Sequence, residues 1–336
     1  MDIRWDTILG HEKNIAHLRR LWQEQRMPHA LLFCGAEGIG KKRTALSLAA
    51  ALLCMEAVAD APCGHCASCT ALQAGTHPDF YLVEPESKGK AAKSIRIEQI
   101  RELQTRISWA PQLAARRVVI IDQAELMNEA AANSLLKTIE EPAGQMCFVL
   151  VTSTPAALLD TIRSRCMRVE FGMLPVAALA EALPEHGIPA EQAAVLASLS
   201  DGSLGRALEL HADGGLELRA DAAALLAELG SMDMEKLWQR SRALSELPRE
   251  KLADWCMYLS MLLRDLLVLY SGGSQLYHQD LAGKLAALLP MLPEQSVFQM
   301  LRLLRGLQKR LESNANVRLL IESFLIQLRD LKLRNR

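Results

Sequence analysis

Residues 116–166 read RRVVIIDQAELMNEAAANSLLKTIEEPAGQMCFVLVTSTPAALLDTIRSRC. Val118–Ile121 is a short, apolar, β-branched run that ends in Asp122. That is the pattern of a strand buried in a parallel sheet, with a carboxylate at its carboxyl end. Asn128–Glu141 reads as a helix rich in alanine and leucine, capped at its start by Asn128 and closed by Pro142. Cys147–Val151 reads as a second buried strand, ending in polar Thr152 and Ser153. Ser153-Thr154-Pro155 then opens another expected helix, with Pro155 near its first turn, that runs into Ser164-Arg165-Cys166. In an open α/β sheet, ligands sit beyond the carboxyl ends of the strands. Asp122 and Thr152 are therefore expected to face one site, with Arg165 projecting from the segment that follows.

Upstream, Ile8–Gln25 has the pattern of an amphipathic helix, and His29–Cys34 (HALLFC) that of a buried strand. The strand runs directly into Gly35-Ala36-Glu37-Gly38-Ile39-Gly40-Lys41-Lys42, and a helix is expected from Lys41 to about Cys54. Strand, glycine-rich loop and helix in that order form a phosphate-binding loop. Gly35, Gly38 and Gly40 let backbone N–H groups close round phosphate oxygens, and Lys41 supplies a point charge for the terminal phosphates. A plain strand-to-helix turn is the bland alternative. Asp122 some eighty residues on, where an acidic metal-binding strand end is needed, weighs against it.

Two positions of this site depart from what hydrolysis needs. The eighth loop position calls for Ser or Thr, whose hydroxyl ligates Mg²⁺, and Lys42 stands there instead. Gln123 stands where a carboxylate would polarise the attacking water, and a carboxamide cannot accept a proton at neutral pH. The pattern predicts a retained nucleotide fold without hydrolysis, and leaves binding of ATP and Mg²⁺ in doubt.

Between the loop and Asp122 lie Cys54, Cys63, Cys66 and Cys69, with Pro62, Gly64 and Ser68 supplying turn chemistry. Four thiols within sixteen residues match a closed tetrahedral zinc site of structural type, with cysteine as every ligand. His65 is a less favoured ligand, being inside the Cys63–Cys66 turn, and four reduced cysteines without metal remain the bland alternative. Cys34, Cys147, Cys166 and Cys256 sit singly in apolar surroundings and read as core residues. Phe80–Val83 is an expected strand, Glu84–Lys93 an exposed loop, and Ser94–Ile107 a helix with Ile97, Ile100, Leu103 and Ile107 on one face.

The whole chain has 336 residues, enough for two or three domains. Half the residues are hydrophobic but only 4% aromatic, which favours a mostly helical protein with one α/β portion. A net charge of −1 argues against a free-standing basic nucleic-acid binder. The opening MDIRWDTILG does not read as a signal peptide and no run is long and apolar enough to span a membrane, so a soluble, cytoplasmic protein with reduced cysteines is expected. Arg168–Phe171 is the expected last strand, and Pro175–Leu210 holds two or three short helices. From about Gly214 every periodic segment is helical. The last, Val317–Leu333, places Val317, Leu320, Ile321, Phe324, Leu328 and Leu331 on one stripe. Such a stripe is the core of a helical bundle or a subunit contact through it.

Taken together, Pro28-His29-Ala30, the glycine loop, the four-cysteine insertion, Gln73–Asp79 (QAGTHPD), Ala132–Pro142 (ANSLLKTIEEP), Ser164-Arg165-Cys166 and Asn314-Ala315-Asn316 resemble bacterial clamp-loader subunits of the AAA+ class, over essentially the whole chain. The resemblance implies an AAA+ α/β domain with a zinc module over residues 1–172, a small helical lid over 173–213, and an all-α collar for oligomerisation over 214–336. It also implies a place in a pentameric ring of the DNA polymerase III holoenzyme, beside delta and three ATP-hydrolysing gamma/tau subunits. There Arg165 would reach a neighbour's nucleotide as an arginine finger, and the ring would load a sliding clamp onto primer–template DNA. A hydrolysing member of the family would also carry an arginine directly after Gly202-Ser203-Leu204; Gly205 stands there, and Arg206 comes one residue late, about 100° round a helix. Taken alone, Arg165 is equally a surface arginine in a helix-end ion pair. Two other classes stay open: an active ATPase motor of a clamp or helicase loader, and a zinc-stabilised nucleic-acid-binding module. The neutral charge and few aromatics weigh against the second.

Overall fold

The computed structural model describes residues 4–333 except 57–61, 88–92, 143, 230, 312 and 314. Part of the segment between Cys54 and Cys63, part of the charged stretch 84–93, Asn314 and the basic end Arg334–Arg336 therefore lie outside the described residues.

A short 3-10 turn, Trp5–Thr7, precedes α1 (Glu12–Gln23). The helix starts later than periodicity suggests because Gly10 and His11 both adopt left-handed backbone, which breaks the turn before it. Next come β1 (Ala30–Cys34), α2 (Lys41–Leu53), α3 (Ala67–Gln73), β2 (Phe80–Val83), α4 (Ile97–Ile107) and β3 (Arg117–Ile121). The Asn128 carboxamide accepts from the Ala131 amide at 2.8 Å, capping α5 (Glu129–Glu140). After β4 (Met146–Thr152) the expected long helix is two pieces instead: a 3-10 turn, Pro155–Ala157, and the single turn α6 (Asp160–Arg163). Leu158 and Leu159 between them are extended, which lets Leu158 and Ile162 both reach the core.

With β5 (Met167–Glu170) the five strands form one parallel sheet in the order β2-β3-β4-β1-β5. Every residue of β1, β3 and β4 is buried, as continuous apolar runs require when helices cover both faces. Alternation divides them. Leu31, Phe33, Val118, Ile120, Val149 and Val151 pack with α2, while Leu32, Val119, Ile121, Phe148 and Leu150 pack with α4 and α5. The register also aligns the strand ends. Cys34 pairs with Thr152, Ile121 with Leu150 and Val83 with Ile121. The glycine loop, Glu84, Asp122 and Ser153 thus leave the sheet along one edge.

The rest is helical: α7 (Val176–Ala182), α8 (Ala190–Leu199), α9 (Leu204–Ala212), α10 (Gly215–Glu228), α11 (Met234–Ser245), α12 (Arg249–Tyr270), α13 (Ala282–Ala286), α14 (Glu294–Leu311) and α15 (Val317–Leu333). The chain divides into two compact units, residues 1–182 with 201–206 and residues 183–200 with 207–336. In the second, α12 packs between α10 and α14, and α15 packs on α14 and α11. Ile321, Phe324 and Leu328 of the expected stripe are buried there. Leu325 joins them, while Val317, Leu320 and Leu331 are half-buried. Among the described residues, no helix is long and apolar enough to cross a membrane.

Candidate functional site

Three hydrogen bonds from outside end on carbonyl oxygens of the loop after β1. Ser203 Oγ donates to Glu37 O at 2.8 Å, the Gly205 amide to Gly38 O at 2.9 Å, and His11 Nε2 to Ile39 O at 2.8 Å. Gly38 and Gly40 have positive φ (72° and 104°), and a Cβ on Gly38 would stand 2.4 Å from Ser203 Oγ. At Gly38 only glycine satisfies both demands. Lys41, at the first turn of α2, is 6% exposed, and its ammonium donates to Gly35 O at 2.7 Å and Ala36 O at 2.5 Å. Burial pushes its pKa down, against the opposing pull of Glu125, Asp122 and Glu37. Those three carboxylates, set beyond the carboxyl ends of the strands, act electrostatically on the loop lysine.

Lys42 makes the most informative contact. Its Nζ lies 2.5 Å from Glu84 Oε1 and 3.0 Å from Asp122 Oδ2. Burial works against the charge, but the hydrogen bonds that Lys42 donates to Glu84 and Asp122 outweigh it and raise the pKa, so the ammonium stays protonated. Sequence reading places Glu84 at the start of an exposed loop. The structure puts it at the carboxyl end of β2, beside Asp122, because Val83 and Ile121 are in register. The signal was available: Glu84 directly follows an apolar run, as Asp122 does.

Gln123 takes a left-handed conformation, φ 49°, and its Nε2 stands 3.5 Å from Glu37 Oε1. Glu125, which no sequence pattern singles out, accepts from the amide and hydroxyl of Ser153 at 2.9 and 2.5 Å. Burial raises its pKa, but the Ser153 bonds prevail and hold it below the usual carboxylate range. Thr152 is buried at the end of β4, and its hydroxyl accepts from the Thr154 amide at 3.1 Å. Arg165 follows α6. One guanidinium nitrogen lies 2.7 Å from Glu140 Oε1, and another donates to Thr161 O at 3.0 Å. Both Arg165 and Glu140 side chains are 40% exposed.

Elsewhere in the same unit, the Sγ atoms of Cys54, Cys63, Cys66 and Cys69 all lie within 4.8 Å of one another. Cys63 and Cys69 are 3.9 Å apart. The amides of Cys66 and Cys69 donate to the Cys63 and Cys66 sulfurs, each at 3.4 Å, which favours thiolates. Burial alone would raise the Cys66 thiol, yet the Cys69 amide and neighbouring donors bring it down to about 6. Burial pushes Cys54 and Cys69 up. Four sulfurs at these separations could hold a tetrahedral metal ion. His65 Nε2 pairs instead with Glu56 Oε2 at 3.2 Å, although Glu56, Cys63 and His65 form a second, more exposed group of possible ligands. Cys34, Cys147, Cys166 and Cys256 are buried, and burial lifts Cys147 and Cys256 to about 12 and Cys166 to about 11, which leaves them poor nucleophiles.

A parallel sheet in this strand order, with a glycine loop after β1, an acid after β3 and a helical C-terminal region, is an AAA+ fold. Residues 10–175 match the family described as DNA polymerase III, delta subunit, and residues 221–330 the one described as its C-terminal part. The DNA polymerase III subunit delta' of Bacillus subtilis is 34% identical over 92% of this chain and 93% of its own length. Those of Pseudomonas aeruginosa and Escherichia coli are 39% and 35% identical, covering 68% and 80% of this chain and 69% and 78% of their own. The chain belongs to the delta-prime family of DNA polymerase III clamp-loader subunits.

Proposed function

We propose that this chain is a clamp-loader subunit that does not hydrolyse ATP itself and lends Arg165 to the nucleotide site of a neighbouring subunit. The observation that carries the first half is the Lys42 ammonium between Glu84 and Asp122, in the place a metal-ligating hydroxyl would leave for the cation. Gln123 adds the loss of the proton acceptor. Supporting the second half, the contacts of Arg165 among the described residues are a half-exposed pair with Glu140 and bonds within its own turn, so the guanidinium can exchange Glu140 for phosphate oxygens. Residues 1–172 form the nucleotide-binding-like domain on this reading, 173–213 the lid and 214–336 the collar. The partners are delta and the gamma/tau ATPase subunits in the cytoplasm, acting on the sliding clamp and primer–template DNA.

Zinc is the metal we assign to Cys54, Cys63, Cys66 and Cys69. A tetrahedral ion with Zn–S bonds of about 2.3 Å sets sulfurs ~3.8 Å apart, close to the 3.9 Å between Cys63 and Cys69. No open position is left for substrate, so its role is to fold the knuckle. The test of function is reconstitution. Mixed with delta and gamma/tau, the chain should support DNA-dependent ATP hydrolysis and clamp loading, while alone it hydrolyses nothing. ATP turnover by the isolated chain that disappears in Lys41→Ala would favour the motor reading instead.

A further inference from the structure

An AAA+ site of this architecture implies a divalent cation beside the acid of β3, and the residues here do not fit one. A cation at Asp122 needs oxygen ligands and water on that carboxylate. The carboxylate instead receives the Lys42 ammonium at 3.0 Å, and Glu84 holds the same nitrogen from the other side at 2.5 Å. A fixed positive charge held between two carboxylates offsets one of their two negative charges, occupies the Asp122 oxygen a cation would need, and repels a second cation at that place. An ammonium cannot serve as a ligand.

The phosphate side of the site is nevertheless formed. The carbonyls of Glu37, Gly38 and Ile39 face Ser203, Gly205 and His11. In a trans peptide the N–H points opposite to the C=O, so the N–H groups of Gly38, Ile39 and Gly40 all face away from those partners. Among the described residues, none of the three donates a hydrogen bond. The buried Lys41 ammonium spends two of its three N–H bonds on Gly35 and Ala36. Lys42 likewise has one N–H beyond those taken by Glu84 and Asp122. Three loop amides with no protein acceptor among the described residues, followed by the ammonium groups of Lys41 and Lys42, offer donors to an anion, and Lys42 carries its positive charge at the oxygen where a metal would otherwise sit.

We propose that the Lys42 ammonium is a tethered replacement for the divalent cation, so that the glycine loop binds a nucleoside polyphosphate in its metal-free form and discriminates against the metal-bound form. The inference rests on the degenerate-site reading above but not on Arg165 or the ring, and its test uses the isolated full chain, where neither is engaged.

The probe is ADP, titrated calorimetrically in EDTA and in excess Mg²⁺, with Mn²⁺ paramagnetic resonance as an independent readout. ADP should bind in EDTA and weaken by at least about tenfold in saturating Mg²⁺, the direction expected for forcing like charges together near a protein surface. Lys41→Ala should abolish binding, which locates it at the loop. Lys42→Thr should reverse the preference, making ADP binding depend on Mg²⁺ and creating a protein-bound Mn²⁺–ADP signal, beyond that of Mn²⁺ and ADP alone, that the wild-type chain lacks. Should Lys42→Thr unfold the loop, Lys42→Met keeps the stem without the charge and should lose binding in EDTA. No ADP binding in EDTA, tighter binding in Mg²⁺, or a protein-bound Mn²⁺–ADP signal from the wild-type chain, beyond that of Mn²⁺ and ADP alone, would each overturn the proposal. None of these results bears on whether the ring needs Arg165.

Discussion

The Gly205 amide donates to the carbonyl of Gly38 at 2.9 Å, and a Cβ at position 205 would stand 2.8 Å from the Gly38 Cα. The segment 201–206 therefore meets the phosphate loop backbone to backbone, at the place where a hydrolysing relative would carry its lid arginine. The absence of that arginine is more than a lost charge, because this packing has no room for any side chain there.

Gly205→Ala should consequently destabilise the chain by about 1–3 kcal/mol, the usual cost of overpacking a tight contact. Gly205→Arg should do no better and should create no ATPase activity. Thermal unfolding of the two variants checks the first claim. An Ala variant as stable as the parent chain would show that the loop and residue 205 are not in contact.

The cysteine cluster should hold one zinc through ordinary buffer exchange, and Cys66→Ser should lose it, since ligand loss and unfolding of such a knuckle are one event. Protons compete with the metal for thiolates. Cys66, held near 6, is the easiest to keep ionised, while Cys54 and Cys69 are pushed up by burial and depend on the metal to deprotonate. Acidification should therefore release the ion, as protons compete for all four sulfurs. Substoichiometric zinc by elemental analysis of protein never exposed to chelator would remove this reading.

Asp265, fully buried in α12, makes an acid-labile tie in the second unit. Its carboxylate accepts from the Tyr277 and His278 amides at 3.1 and 2.8 Å, from His278 Nδ1 at 2.8 Å and from Arg264 at 2.9 Å. Burial would raise its pKa, but these bonds, led by His278, outweigh it and hold the carboxyl low. A depressed carboxyl contributes its full stability above the unfolded value near ~3.9 and loses it as pH falls from there through the folded value. Asp265→Asn leaves buried donors facing an amide and should cost about 3 kcal/mol at neutral pH. It should also flatten the acid limb of the stability curve. An unchanged acid limb by urea unfolding would assign that sensitivity to other groups.

How much of this was legible beforehand follows the range of each interaction. The run Val118–Ile121 and the Asn128 cap are local patterns that read correctly as strand and helix start, and the Cys63-Cys66-Cys69 spacing correctly brings sulfurs close enough together that they could hold a metal ion. The site's decisive contacts are not local. Glu84 meets Lys42 only because β2 lies beside β3 in a particular register, and Gly205 meets Gly38 from a segment far along the chain. The break at Leu158 and Leu159 was equally hidden. Nothing in TPAALLDTIR forbids a continuous helix, and the core positions of Leu158 and Ile162 decide against it.

Restoring chemistry at the loop should take more than one change. Lys42→Thr supplies the hydroxyl and frees Asp122, while Gln123→Glu supplies a proton acceptor. The double variant should gain Mg²⁺-dependent nucleotide binding before it gains turnover, since position 205 still offers no arginine and no space for one. Turnover by the double variant within about tenfold of a gamma/tau subunit, a gap of only ~1.4 kcal/mol in barrier, would mean the lid arginine is dispensable, and the account of Gly205 would then be wrong.

Arg165 carries the prediction closest to function. Its pair with Glu140 joins two side chains that are each 40% exposed, so solvent screens most of its energy. Arg165→Ala should then cost no more than about half a kcal/mol of stability. On the proposed reading, the same change in the reconstituted ring would remove a planar, permanently charged group from a neighbour's transferring phosphate. A trans arginine contributes roughly 10³–10⁵ in rate where one site is isolated. The loss in total ATPase should be smaller, because other subunits keep their own arginines, but clamp loading should fall clearly. Arg165→Lys should fail nearly as badly, as a point charge cannot contact two phosphate oxygens at once. Glu140→Ala, which frees the guanidinium from its resting partner, should leave loading intact and separates the ion pair from the finger. If the Arg165→Ala ring assembles, hydrolyses ATP and loads clamps at the parent rate, Arg165 is a surface arginine paired with Glu140 and nothing more.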